Sequence, residues 1–265
     1  MRVRNCVTLV LFGLSVGLSF ASPNDWRGRS VVFLGDSITD KSHIGCTTNY
    51  WGFLSERLGL VASVYGTNGA QSRAIPDQVA WARREQGENV DAVFMLIGTN
   101  DYNADVPLGD AYVQSVETVN KGGTPMALKK RESSFDTATF RGRLNAALRA
   151  IKTTFPMAQV VVMTPLHRGF AQFGPKNVQP DERYANRLGL FIDDYVQCVR
   201  EAAAIWSSPV IDLYAESGLL PNESVYNVYF ARGGEGDSLH PSTVGHERLA
   251  RVIEARLQAL PATFR

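Results

Sequence analysis

The sequence predicts a three-layer α/β/α domain built on a five-stranded parallel sheet. Apolar runs of strand length alternate along the chain with helical patterns, an order typical of βαβ units. These runs are continuously apolar, as expected for strands that helices cover on both faces. Of the 265 residues, 45% are hydrophobic and 20% are charged, so the chain can bury a sizeable core.

Five strands and five helices are predicted from these patterns. The strands cover residues 30–34, 61–65, 92–97, 160–163 and 210–213, and the helices cover residues 50–58, 75–84, 137–155, 190–206 and 242–260. The third helix has a single apolar stripe, formed by Phe140, Leu144, Leu148, Ile151 and Phe155. Pro156 ends that helix, since proline cannot continue it.

The segment after the third strand, Asn103 to Asp136, is predicted as a long polar connection. A connection of that length in a compact domain usually forms a functional loop or a local excursion from the fold. No linker rich in proline, glycine or serine divides the chain, and no internal repeat is found. We therefore expect residues 22–265 to form a single domain.

The first 21 residues have the pattern of a signal peptide. Arg2 and Arg4 precede an apolar stretch from Val7 to Phe20, and small residues around Ala21 offer a cleavage site. The alternative, a retained N-terminal anchor, is less favoured because the stretch is short for a membrane span and contains two glycines. The sequence thus predicts a secreted or periplasmic protein with no stable membrane insertion after cleavage.

Charge and cysteine content exclude several kinds of partner. The net charge is 27 − 26 = +1, and removal of the two arginines in residues 1–21 makes it 25 − 26 = −1. A near-neutral chain has no electrostatic basis for binding nucleic acid or an anionic membrane. Cys46 and Cys198 lie on different parts of the predicted sheet, so two separate buried thiols are favoured over a disulfide. No Cys/His cluster has the spacing of metal ligands.

Polar clusters follow three predicted strands and precede the last helix. They are Gly35-Asp36-Ser37, the stretch YGTNGAQS from Tyr65 to Ser72, GTND from Gly98 to Asp101, and DSLHPS from Asp237 to Ser242. Since sites in open parallel sheets form at the carboxyl ends of the strands, all four clusters should converge on one edge.

These clusters contain every group that ester hydrolysis by a serine requires. Ser37 is the candidate nucleophile, His240 its base, and Asp237 the carboxylate that orients the imidazole. The oxyanion needs hydrogen-bond donors, for which the backbone N–H groups of Ser37 and Gly69 and the side-chain amide of Asn100 are candidates.

The four motifs, in this order, resemble those of the SGNH hydrolases, also called the GDSL esterase/lipase family. The resemblance spans Val31 to His246, with Ile38 where the family name has leucine. It implies a flavodoxin-like sheet of strand order 2-1-3-4-5 and acyl-ester hydrolysis without metal or cofactor. It also implies the same roles for Ser37, Gly69, Asn100, Asp237 and His240. The second motif departs from the commoner Asn-x-Gly opening, with Tyr65 and Gly66 in its place, and we expect Gly69 rather than Gly66 to be the donor.

Five further residues are candidates for contacting the substrate. They are Asp36, Asp101, Tyr102, His167 and Arg168. Asp36 is also expected to organise the nucleophile turn through backbone hydrogen bonds, and Asp101 to hold the Asn100 loop. For His167, a structural hydrogen-bonding role fits the sequence at least as well as contact with the substrate. His246, on the last helix, is expected to pack or cap rather than act as a second base.

Other functional classes fit the sequence less well. GDSITDKS lacks the second glycine of a P-loop, and the segment from Gly66 to Gly69 does not supply a dinucleotide-binding motif. A non-catalytic carbohydrate-binding protein would not need an intact triad. The favoured substrate is a short acyl ester, such as acetyl, on carbohydrate. A lysophospholipase, a thioesterase and an acyltransferase of the same fold are the alternatives.

Overall fold

The computed structural model describes residues 25–260, and the predicted signal peptide, residues 1–21, lies outside them. The strands are β1 (Ser30–Gly35), β2 (Val61–Val64), β3 (Ala92–Leu96), β4 (Tyr112–Lys121), β5 (Thr124–Ser133), β6 (Gln159–Met163), β7 (Ala171–Gly174), β8 (Asn177–Gln179) and β9 (Val210–Ile211). A parallel sheet has the order β2-β1-β3-β6-β9. The predicted five-stranded sheet and its order are therefore confirmed.

Helices flank this sheet. They are α1 (Tyr50–Leu58), α2 (Ile75–Gln86), α3 (Thr99–Asn103), α4 (Phe140–Thr154), α5 (Ile192–Ile205), α6 (Leu213–Glu216) and α7 (Thr243–Ala259). The five predicted helices all form, with ends within three residues of the predicted ones. Among the helices of residues 25–260, none combines the length and the apolar composition of a membrane span.

Alternation along β1 divides the core into two layers. Val32 and Leu34 pack with the helices α2, α4 and α5, whereas Val31 and Phe33 pack with α1 and α7. Both sets of side chains are fully buried. Because successive side chains in a strand point to opposite faces, a continuously apolar strand requires helices on both faces of the sheet.

The segment predicted as a long polar connection is largely a β-hairpin. Strands β4 and β5 pair antiparallel from Tyr112 opposite Ser133 to Lys121 opposite Thr124. Nearly all of their side chains are exposed on both faces. Strand prediction depends on an apolar face that packs against a core, and this hairpin has none, which is why the sequence pattern missed it.

A second hairpin, β7–β8, follows β6 and was also missed. Its strands are only four and three residues long, and they pair with an irregularity between Gln172 and Gly174. Cys46 and Cys198 are separate and free, as expected, although Cys46 is half-buried rather than buried.

Candidate active site

The nucleophile turn begins where β1 ends. Gly35 is required there, because a side chain at this position would collide with the carbonyl oxygen of Leu96 on β3. The backbone N–H groups of Thr39 and Asp40 donate to the Asp36 carbonyl at 3.1 and 2.9 Å, forming a tight turn around Ser37. The Ser37 side chain is thereby placed at the carboxyl edge of the sheet.

The three residues predicted to form a triad lie within hydrogen-bonding distance of one another. His240 Nε2 is 2.9 Å from Ser37 Oγ, although 203 residues separate the two. His240 Nδ1 is 2.9 Å from Asp237 Oδ2. Asp237 and His240 are nearly fully buried, and Ser37 is 5% exposed.

Backbone contacts hold the Asp237 carboxylate towards the imidazole. Asp237 Oδ1 accepts hydrogen bonds from the backbone N–H groups of Leu239 and His240, at 3.2 and 3.0 Å. Burial alone would raise the pKa of Asp237, but its hydrogen bonds and charge interaction with His240 outweigh burial and keep that pKa below its ordinary value. The carboxylate is therefore suited to orient an imidazolium.

The candidate oxyanion donors lie in the segments that follow β1, β2 and β3. Within residues 25–260, the backbone N–H groups of Ser37 and Gly69 have no hydrogen-bond acceptor. Asn100 is half-buried at the start of α3, and its Nδ2 donates to the Ala70 carbonyl at 3.0 Å. This hydrogen bond uses one of the two Nδ2 protons and joins Asn100 to the loop that contains Gly69.

The two glycines of the second motif differ in their surroundings. Gly66 is buried, and a Cβ atom there would lie 2.7 Å from Thr39 Cβ, so close packing accounts for its lack of a side chain. Gly69 is exposed beside the loop residue bound by Asn100. This difference favours Gly69 over Gly66 as the donor that faces a substrate.

Comparison with known proteins identifies the family. The family model described as "GDSL-like Lipase/Acylhydrolase family" matches residues 33–248, most of the chain. The chain belongs to the GDSL-like lipase/acylhydrolase family. It is therefore a carboxylic ester hydrolase, as the motifs predicted. No curated protein is significantly similar to it.

Solved structures share the fold of this GDSL hydrolase. A protein of Lactobacillus plantarum is 24% identical with a TM-score of 0.66, and the match covers 88% of this chain and 98% of the other. A possible lipase of Chitinophaga pinensis is 18% identical with a TM-score of 0.63, covering 87% and 98%. A lipase/acylhydrolase of Enterococcus faecalis is 21% identical with a TM-score of 0.52, covering 88% and 98%. At these identities the similarity establishes the fold alone.

Asp36 of the GDSL hydrolase is buried beneath the nucleophile turn. Its Oδ1 accepts from the Ile38 N–H at 3.0 Å, which is the turn-organising role expected for it. Burial raises its pKa from 3.8 to about 6. With 1% of its surface exposed, the side chain is not placed to contact a bulky substrate.

Asp101 was also a candidate for substrate contact, but the structure buries it completely. Its Oδ2 accepts from the Ser72 N–H, and its Oδ1 accepts from the Ser72 hydroxyl and the Arg143 guanidinium. Burial raises its pKa, and these donors offset part of that effect. Both oxygens are used within the protein, so Asp101 holds the Asn100 loop, as was also expected of it.

Arg168 likewise does not face the substrate side. It is 1% exposed, and its guanidinium donates to the Thr99 carbonyl and to Gln179 Oε1. Burial lowers its pKa to about 10. Its side chain joins the start of α3 to the β7–β8 hairpin, which makes it a positioning residue.

Tyr102 and His167 each contact other residues of the protein. The Tyr102 hydroxyl donates to the Tyr184 carbonyl at 2.6 Å, while the residue also lines a surface cavity described below. His167 stacks on Tyr214 with ring centroids 3.8 Å apart, and its Nδ1 lies 2.8 Å from Glu182 Oε1. These contacts give His167 the structural role that the sequence left open.

His246 lies apart from the triad. Its Nδ1 accepts from the Tyr50 N–H at 3.2 Å, capping the first turn of α1, as expected of a packing or capping residue.

Two residues near the site were missed by sequence reasoning. Gln78, on α2, binds the backbone of Gly35, and its polar side chain within the buried stripe Ile75, Val79 and Ala82 was the available signal. Phe173, on β7, contacts the His240 ring, and nothing local in the sequence indicates that contact.

Proposed function

We propose that this GDSL hydrolase cleaves short acyl esters, with Ser37 as nucleophile, His240 as general base and acid, and Asp237 as the orienting carboxylate. One observation carries the proposal. A buried chain of short contacts runs from Ser37 Oγ through both imidazole nitrogens of His240 to Asp237 Oδ2. This is the geometry that activates a serine hydroxyl at neutral pH.

In the acylation step, Ser37 Oγ attacks the ester carbonyl carbon and its proton moves to His240 Nε2. The carbonyl oxygen becomes an oxyanion, and the N–H groups of Ser37 and Gly69 together with Asn100 Nδ2 donate hydrogen bonds to it. The intermediate then collapses, the bond to the alcohol oxygen breaks, and His240 returns its proton to that oxygen. The products are an acylated Ser37 and a free alcohol.

In the deacylation step, water takes the place of the alcohol. His240 Nε2 removes a proton from the water as its oxygen attacks the acyl carbon, and the same donors bind the second oxyanion. Ser37 Oγ leaves and regains a proton from His240, which releases the carboxylic acid. Asp237 keeps the imidazole in the required orientation throughout.

The preference for a short acyl group rests on the charge of the chain rather than on a cavity. The chain is close to neutral, which gives it no electrostatic basis for binding the anionic surface of a lipid membrane. The cavity beneath the nucleophile turn, lined by Ile38, Leu96, Pro165 and Leu239 among others, has a volume of about 10 Å³, which is room for roughly one water molecule. Ser37 does not line this cavity, so it does not select the acyl chain.

The test is a series of nitrophenyl esters from acetyl to long acyl, with the wild type, Ser37→Ala and Ser42→Ala. Ser42 is an exposed serine five residues further along the same loop, so it is a matched control. We expect activity on the short esters, a loss of roughly 10⁶-fold in kcat for Ser37→Ala, and little change for Ser42→Ala.

Other outcomes would redirect the proposal. Preference for long chains would favour a lysophospholipase or thioesterase. Consumption of ester with transfer to an added alcohol rather than water would indicate an acyltransferase. A folded Ser37→Ala variant with near-wild-type turnover would refute the nucleophile assignment.

A further inference from the structure

The β7–β8 hairpin is attached directly to the loop that contains Asp237. The Gly169 N–H donates to the Ser238 carbonyl at 2.9 Å, and the Ser238 N–H donates back to the Phe170 carbonyl at 2.8 Å. Ala171 forms an antiparallel bridge with Asp237. The hairpin therefore has a fixed position relative to the catalytic histidine.

Phe173 projects from this hairpin onto His240. The two ring centroids are 5.4 Å apart with an interplanar angle of 57°. Phe173 is nevertheless 41% exposed. An aromatic ring that touches the imidazole and keeps much of its surface in solvent offers an apolar contact next to the reacting atoms.

The contact with His240 indicates which half of the ester would meet Phe173. In the proposed mechanism His240 Nε2 returns a proton to the alcohol oxygen, so the alcohol must lie beside the imidazole. The carbonyl oxygen points instead towards Gly69 and Asn100. A side chain that packs on His240 therefore faces the alcohol rather than the oxyanion.

The hairpin also borders a polar cavity of about 490 Å³, within the range of small-molecule sites. Its lining includes Asn103, Asp105, Lys176, Asn177, Asn186 and Arg187. Asn103 is one turn along α3 from Asn100, a distance of roughly 5 Å along the helix. Amide and charged side chains of this kind suit a ligand with many hydroxyl groups.

We propose that Phe173 and this cavity bind the alcohol half of the ester, and that this alcohol is a pyranose-containing carbohydrate. The C–H groups on one face of a sugar ring would pack on Phe173, while hydroxyl groups would reach the polar side chains of the cavity. Asp105 and Arg187 of the cavity pair with each other, whereas Asn103 and Lys176 are available to such hydroxyl groups. The inference rests on the proposed ester hydrolase function and adds the substrate class to it.

The experiment compares kcat/KM for monoacetylated methyl pyranosides with kcat/KM for ethyl acetate, which carries the same acyl group on an unactivated alcohol. Wild type should prefer the pyranosides. In Phe173→Ala the ratio of the two values should fall about tenfold, chiefly through KM, and Phe173→Tyr should restore it. Phe170→Ala is the control, since Phe170 is also 41% exposed on the adjoining segment.

Three outcomes would overturn the inference. They are a wild type that does not prefer the pyranosides, an unchanged ratio in Phe173→Ala, and a changed preference among acyl chain lengths in that variant. Failure of the ester hydrolase proposal itself is distinguishable, because the wild type would then hydrolyse neither nitrophenyl acetate nor ethyl acetate.

Discussion

Gln78 and Gly35 are joined by two hydrogen bonds that link α2 to the end of β1. Gln78 Oε1 accepts from the Gly35 N–H at 2.9 Å, and its Nε2 donates to the Gly35 carbonyl at 2.8 Å. The Gly35 carbonyl also accepts from the Thr67 N–H at 3.1 Å. Helix α2 therefore holds the turn that carries Ser37.

Replacement of Gln78 by methionine should reduce both stability and turnover. Methionine is similar in size but makes neither of the two buried hydrogen bonds to Gly35, so we expect the free energy of unfolding to fall by about 1–3 kcal/mol. Urea unfolding and kcat on nitrophenyl acetate measure the two effects. Gln86→Met, on the same helix but bound to Tyr65, should leave kcat unchanged. Equal kcat in wild type and Gln78→Met would argue against a role in positioning Ser37.

Asn100→Asp should lower kcat by about 10²–10³. Aspartate has nearly the same shape but places an oxygen where Nδ2 now donates to the Ala70 carbonyl. In the proposed mechanism that oxygen could not donate to the oxyanion. Steady-state kinetics on nitrophenyl acetate provide the measurement. Asn120→Asp, at the exposed end of the β4–β5 hairpin, is the control for the added charge. Wild-type kcat in Asn100→Asp would remove Asn100 from the oxyanion donors.

Asp36→Asn should stabilise the protein at neutral pH. Burial raises the pKa of Asp36 from 3.8 to about 6, so the folded state binds more protons than the unfolded state between these values. The free energy of unfolding therefore falls as pH rises through this window, by about 3 kcal/mol in total. Asparagine stays neutral and can still accept from the Ile38 N–H.

Urea unfolding of both proteins from pH 4 to pH 7.5 tests the Asp36 prediction. The stability advantage of Asp36→Asn should be small at pH 4 and grow towards pH 7. Asp110→Asn, at an exposed position, should show no such trend. An advantage that is constant with pH would mean that ionisation of Asp36 is not its source.

His246 should make the protein sensitive to acid. Burial lowers its pKa from 6.5 to about 3, so between these values the unfolded state binds a proton that the folded state does not. Its contribution to stability is complete above pH 6.5 and is lost as pH falls towards 3. At pH 5 the loss should be about 2 kcal/mol.

His246→Gln should flatten this acid dependence, because glutamine does not titrate and can still accept from the Tyr50 N–H. Unfolding measured from pH 4.5 to pH 7.5 checks it, with His43→Gln as the control. If His246→Gln lost stability with acid as steeply as wild type, the buried imidazole would not be the cause.

Much of the fold was predictable because local periodicity reports burial. β1 and β3 are apolar along their length because helices cover both faces of the sheet. α4 has a single apolar stripe because one face of the helix packs against the core. The two hairpins were not predicted, because their side chains are largely exposed and leave no burial signal. Asp101 and Arg168 were assigned to the substrate side because position in a strand-end loop does not reveal which way a side chain points.

The sequence by itself determined the parallel sheet and its helical layers, the four motifs and the three residues Ser37, Asp237 and His240. Each of these depends on periodicity or on residue types at short spacing, which the chain carries locally. Only the tertiary structure decided that Gln78 holds Gly35, that Asp101 pairs with Arg143, and that Phe173 lies on His240. The physical reason is that these contacts join elements far apart in the chain, so the packing of the helices and hairpins against the sheet determines them.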